Sequence, residues 1–124
     1  MPQAKKKYNW TKARAEAVTN ITAKKKKIDL IARKNFGQMI QQRRQEIDMT
    51  QPELAEKTNQ KFFTFVSNVE NGRAKIPTVD LKIWARALKV NRNQFVQNYL
   101  FAADPPLYNA LFSAAKPKKF SQED

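Results

Sequence analysis

The stretch Thr50-Gln51-Pro52-Glu53-Leu54-Ala55-Glu56-Lys57-Thr58-Asn59-Gln60-Lys61-Phe62-Phe63-Thr64-Phe65-Val66-Ser67-Asn68-Val69-Glu70-Asn71-Gly72 carries start and stop signals for two short, consecutive helices. Thr50 and Glu53 have the spacing of a capping box, Thr at the N-cap and Glu at N3. Pro52 is tolerated in that first turn, where the amide has no helical partner. Leu54, Ala55 and Thr58 extend the helix to about residue 58. Phe62 lies four before Val66, and Phe65 four before Val69, which gives the apolar stripe of a second helix at about 62–70. Asn71-Gly72 supplies its stop. With 100° per residue, turning Val66 inward also turns Phe62 and Val69 inward. Thr64, Asn68 and Asn71 then face outward, with Phe63 and Ser67 on the flanks. That outer face carries no acid.

Helical signals continue on both sides of this pair. Upstream, Ile40 and Ile47 share a face, and Ile28, Ile31 and Phe36 lead into them, so the first core helix starts near or before residue 35. Thr11 is placed to cap a separate short helix through Ala13, Ala15, Ala17 and Val18. Residues 1–10 are expected to be disordered, apart from Tyr8 and Trp10, an aromatic pair able to dock. Downstream of Pro77, the set Leu81, Trp84, Ala85 and Leu88 follows i, i+3, i+4, i+7. Asn91 then caps a helix with Gln94 at N3, carrying Phe95, Val96, Tyr99 and Leu100. Asp104-Pro105-Pro106 interrupts the pattern before a last turn with Leu107, Tyr108, Leu111 and Phe112, and the tail after Ala115 is expected to be loose. The pattern predicts an all-α chain with five helices between about 33 and 103 and no strands. It divides into a basic arm, partly helical or disordered, at 1–34, a compact domain at 35–103, and a short helix with tail at 104–124.

Composition narrows the functions open to such a chain. Its 124 residues suit one modest core, and 24 Lys plus Arg against 11 Asp plus Glu give a net charge of +13. The charge is uneven: residues 1–36 hold 11 bases and 2 acids (+9), residues 37–95 hold 10 and 6 (+4), and residues 96–124 hold 3 and 3 (0). The absence of His and Cys excludes Ser-His and Cys-His nucleophiles, His bases, Cys/His zinc sites and disulfides. No phosphate-binding glycine loop, metal cluster or paired carboxylates appear, so neither an enzyme nor a cofactor is expected. So basic a chain calls for an acidic partner, with nucleic acid first and an anionic membrane surface second. The longest apolar run, Tyr99–Ala103, falls far short of the ~20 residues that span a bilayer. No apolar segment follows Lys5-Lys6-Lys7 as a secretory signal requires. A cytoplasmic, nucleoid-associated protein is therefore expected.

The run from Phe36 to Phe95, about 60 residues, resembles the lambda-repressor-like (Cro/cI, or XRE) helix-turn-helix family of bacteria and phages. The resemblance is carried by Gly37, Ile40, Arg44, Thr50 through Ala55, Ser67 through Gly72, Pro77, Leu81, Trp84 through Leu88, and Val90. It implies a five-helix domain whose second short helix enters a major groove ~12 Å wide. It also implies residue roles. Gln51 corresponds to a glutamine that bonds a phosphate and braces a base-reading side chain. Phe63, Thr64 and Asn68 correspond to base-reading positions, with Ser67 and Lys61 beside them. Asn68 has the chemistry to pair bidentately with adenine, Thr64 to bond a base edge or touch a thymine methyl, and Phe63 to meet a methyl or a sugar. Asn71, Arg73 and Lys75 correspond to a loop that grips the backbone, and Arg44 and Glu70 to a structural ion pair. One departure stands out: the span from Ala55 to Glu70 has one residue more than is usual, and Asn59 or Gln60 replaces a turn glycine.

The resemblance implies a sequence-specific transcriptional regulator of double-stranded DNA, without catalytic activity and acting as a homodimer on two half-sites. The neutral C-terminal part offers Tyr99, Leu100, Leu107, Tyr108, Leu111 and Phe112 either as a dimer seam or as cover for their own core. In the basic arm, Lys24, Lys25, Lys26 and Lys27 are expected to follow the DNA backbone or a minor groove. Two other functions share these features. One is an antitoxin that neutralises a toxin and represses its own operon; the other is a weakly specific nucleoid or RNA-binding protein. A protein partner such as a toxin or RNA polymerase has no signature in the chain.

Overall fold

The computed structural model describes residues 10–112 and 115–120. Lys5–Lys7, Tyr8 and the side chain of Trp10 lie outside the described residues. Among those described, the chain is all-helical: α1 (Trp10–Glu46), α2 (Gln51–Lys57), α3 (Phe63–Glu70), a 3-10 turn (Thr78–Asp80), α4 (Leu81–Ala87), α5 (Arg92–Ala103) and α6 (Pro105–Leu111). No strand occurs among them.

Where it is described, the expected basic arm is helical. The short helix after Thr11 and the first core helix are one continuous element of 37 residues, about 55 Å long at 1.5 Å per residue. The expected boundary at 34/35 falls inside it. The reason is local: no glycine or proline stands between Gln3 and Phe36, and Ala, Lys and Arg propagate a helix already nucleated by packing further along. The inner half of α1 buries Phe36, Gly37, Ile40 and Arg44, while Val18, Ile21, Ile28 and Ile31 on the outer half remain exposed.

The core gathers on the inner half of α1. Ile40, Leu54, Val66, Trp84, Leu88 and Phe95 are completely buried. The sequence signals at the helix starts correspond to real caps. Thr50 Oγ1 accepts the Glu53 amide at 3.2 Å, completing the capping box of α2. Asn91 Oδ1 accepts the Gln94 amide at 3.0 Å, and Asp104 Oδ1 caps α6 through the Leu107 amide at 3.2 Å.

The first four helices end alike. Asp48, Asn59, Gly72 and Lys89 each take a left-handed conformation, with φ of 55, 59, 76 and 55°. Each is followed by an amide bonded five residues back: Met49 to Arg44, Gln60 to Ala55, Arg73 to Asn68, and Val90 to Ala85. These are Schellman stops, and three use residues other than glycine. Gly72 is required for a different reason. A Cβ there would lie 2.8 Å from the backbone nitrogen of Lys34, because α1 passes directly over the stop.

The C-terminal part folds onto its own chain. Tyr99, Leu100 and Tyr108, expected as possible dimer contacts, are buried in the core, and Phe112 is half-buried against it. Tyr99 Oη donates to the Ile76 carbonyl at 2.6 Å, and burial, reinforced by Asp104, raises its pKa above the ordinary value. The tail after Ala115 is not loose where it is described. Phe120 packs on Phe95 and Phe36 at centroid distances of 5.3 and 6.3 Å, and the Lys118 carbonyl accepts a bond from Asn98 Nδ2 at 2.7 Å.

Candidate nucleic-acid interface

α2 and α3 are joined by a tight turn that the sequence supplies locally. Thr58 Oγ1 donates back to the Leu54 carbonyl at 2.7 Å, and Asn59 reverses the chain through its positive φ. Asn59 has a short polar side chain that tolerates this conformation. α3 then starts at Phe63, one residue later than predicted. Phe62 is its N-cap, in an extended conformation with φ −128° and ψ 139°. The 100° rule does not reach Phe62, and it is exposed rather than turned inward. Val66 and Val69 face the core, joined by Phe65 against the Trp84 ring at 6.2 Å.

A buried ionic junction fixes α3 relative to α1 and α2. Arg44 Nε donates to Glu70 Oε2 at 2.7 Å, and its second terminal nitrogen donates to Oε1 at 3.1 Å. The remaining terminal nitrogen donates to the Met49 carbonyl at 2.8 Å. Gln51 Nε2 donates to Glu70 Oε1 at 3.0 Å. Glu70 and Arg44 are both buried, and a fork of two parallel bonds is the geometry in which such a pair is best satisfied. Gln51, expected at a phosphate, therefore first braces Glu70. Its carbonyl oxygen and second N–H remain for an external partner.

Two further contacts seat α3. Gly37 on α1 touches the last turn of α3 so closely that a Cβ would meet the Glu70 and Val69 carbonyl oxygens at 2.2 and 2.5 Å. Arg33 Nε donates to the Gly72 carbonyl at 3.2 Å. Sequence reasoning assigned neither Arg33 nor Arg43 a role. Arg43 Nε and one of its terminal nitrogens close the end of α4, donating to the Leu88 and Lys89 carbonyls at 2.9 and 3.1 Å.

The outer face of α3 presents Phe63 and Thr64, both exposed, and Ser67 and Asn68, both half-buried. Neither Thr64 nor Asn68 bonds another described side chain. From Lys57 to Val69 there is no acid, and Glu70 is turned inward to Arg44. Asn71 is exposed at the end of α3. Its Nδ2 donates to the Ser67 carbonyl at 2.8 Å, one turn back along α3. Arg73 and Lys75 stand exposed in that loop, and Lys61 lies over the Phe62 ring, its Nζ 5.4 Å from the centroid.

The basic outer half of α1 adjoins this loop. A cleft of about 330 Å³ runs between them, lined by Lys25, Asp29 and Arg33 of α1, Lys75 of the loop, and Asp104 and Asn109 at the α5–α6 corner. Lys24, Lys25, Lys26 and Lys27 are all exposed. Leu107 and Leu111 remain exposed on α6, one helical turn apart. No helix among the described residues is long and apolar enough to cross a membrane, and no group of three His, Cys, Asp or Glu side chains among them is placed to hold a metal ion. No family model matches the chain, and no curated protein matches it.

Proposed function

We propose that the chain is a sequence-specific DNA-binding transcriptional regulator whose residues 35–103 form a lambda-repressor-like helix-turn-helix domain, with α3 as the recognition helix. One observation carries this reading. A short helix is held rigidly by the Arg44–Glu70–Gln51 junction, and its opposite face carries unengaged polar groups and no acid. A surface meeting phosphates needs that charge pattern, and base reading needs that rigidity. In the major groove, Asn68 pairs with adenine and Thr64 bonds a base edge. Arg73, Lys75 and Lys61 contact phosphates, and Gln51 adds a phosphate bond through the part of its amide that Glu70 leaves open.

The outer half of α1 supplies backbone affinity. Lys25 and Arg33 share a cleft with Lys75, so the charge of the arm continues that of the loop. Pairing on a two-fold site, with half-sites ~34 Å apart, would use Leu107 and Leu111, because Tyr99, Leu100 and Tyr108 serve the protomer's own core.

Selection of bound sequences from a random duplex pool tests the proposal. The expected result is an enriched motif, and Asn68→Ala should relax one position per half-site by ~1–3 kcal/mol. Tight binding without an enriched motif would instead support a weakly specific nucleoid protein, in which the arm dominates.

A further inference from the structure

Phe62 and Phe63 are the two Phe residues that remain exposed among those described; the others are buried or half-buried. Their relative exposures are 63% and 50%. Both stand at the N-terminal tip of α3, as its N-cap and first residue. A helix entering a major groove presents its N-terminal residues to the base edges. Their neighbours Lys61, Thr64 and Ser67 are polar or basic, so the patch is apolar in its centre and favourable to phosphates at its rim. Lys61 holds one face of the Phe62 ring by a cation–π contact, which limits how that ring can turn. Packing does not explain the pair, since Phe65 already fills the inward position against Trp84. A phenyl group has no hydrogen bond to offer a base edge. The apolar feature that the major groove presents is the C5-methyl of thymine.

We infer that Phe62 and Phe63 form an aromatic reader of pyrimidine C5-methyl groups, which makes thymine, or a cytosine methylated at C5, a specificity determinant beside the positions read by Asn68 and Thr64. The inference rests on the DNA-binding reading and adds to it the chemical group recognised. Charge selects DNA as the occupant over a protein surface. The patch lies in a stretch without acids, from Lys57 to Val69, and its rim cation Lys61 is exposed.

The test uses the full chain and the motif obtained from the duplex pool. Each thymine is replaced in turn by deoxyuridine, which deletes the methyl and leaves base pairing intact. Affinity should fall about fourfold for each methyl contacted, the equivalent of burying one methylene-sized group, and 5-bromouracil should restore it. The double substitution Phe62→Ser with Phe63→Ser should abolish the thymine-over-uracil preference while keeping the preference that Asn68 confers. Because both rings are exposed, the variant is expected to fold, and the uracil series on the unmodified protein needs no variant. Equal affinity for thymine and uracil duplexes would overturn the inference and leave the DNA-binding reading standing. So would a double variant that keeps the full thymine preference, or one that changes only the oligomeric mass. Failure to enrich any motif would overturn both together.

Discussion

The two halves of α1 are one uninterrupted helix with opposite environments. Residues 32–46 pack Phe36, Gly37, Ile40 and Arg44 against α3 and α5, and send Arg33 and Arg43 to the ends of α3 and α4. Residues 11–31 are almost wholly exposed and carry the Lys24–Lys27 run. The difference separates two causes of helicity. The inner half is helical because burying its face stabilises it; the outer half extends that nucleus by propagation, where each added residue costs little. Stability should therefore reside in the inner half, and the outer half should act on function without acting on the fold.

Arg44→Ala should break the inner half most severely. It leaves Glu70 buried with its ionic partner gone, and removal of one member of such a pair costs about 3–5 kcal/mol. Urea unfolding would measure it, and Arg44→Met combined with Glu70→Leu should recover much of the loss. Gly37→Ala should follow, at about 1–3 kcal/mol, because the new methyl forces α1 away from the Val69 and Glu70 carbonyls. By contrast, deletion of residues 1–27 should change stability by no more than ~0.5 kcal/mol. It should weaken binding to specific and random duplexes alike and flatten the dependence of log K on log salt by about 0.9 per lost phosphate contact. Unchanged affinity and slope would end the functional claim for the outer half. The smallest effect concerns Tyr99, which stacks edge-on to Phe36 at 5.6 Å. Its pKa is raised in the folded chain, so its contribution is complete below the unfolded value of about 10 and declines as pH rises above it. Tyr99→Phe should remove that alkaline decline in a titration followed by unfolding.

The parts legible in the sequence were those set by local chemistry. The capping box at Thr50, the Asn91 cap and the stop at Gly72 depend on residues a few positions apart, and each is present. The continuity of α1 was hidden because apolar periodicity reports burial, and a solvated helix of Lys and Ala has little of it. Phe62 is exposed, against the inward position its spacing from Val66 predicts, because α3 begins only at Phe63 and the helical angle does not apply before it. Tyr99, Leu100 and Tyr108 could equally have covered their own core or a partner's, and apolar spacing does not distinguish the two. Arg33, Arg43 and Phe120 act over 39, 45 and 84 residues of chain, distances at which sequence spacing carries no signal. On the outer face of α3, Thr64 is exposed as the periodicity predicts, and Asn68 is half-buried. The Gln51–Glu70 bond joins residues 19 positions apart and depends on the folded junction.

The most direct test of the account is the affinity for an enriched duplex relative to a scrambled duplex, measured by anisotropy at one fixed salt concentration. A rigid α3 whose acid-free outer face reads base edges predicts a ratio of about 10³ or more, lowered by Asn68→Ala and left unchanged by deletion of residues 1–27. A ratio near one, with all the affinity lost on deleting residues 1–27, would contradict it.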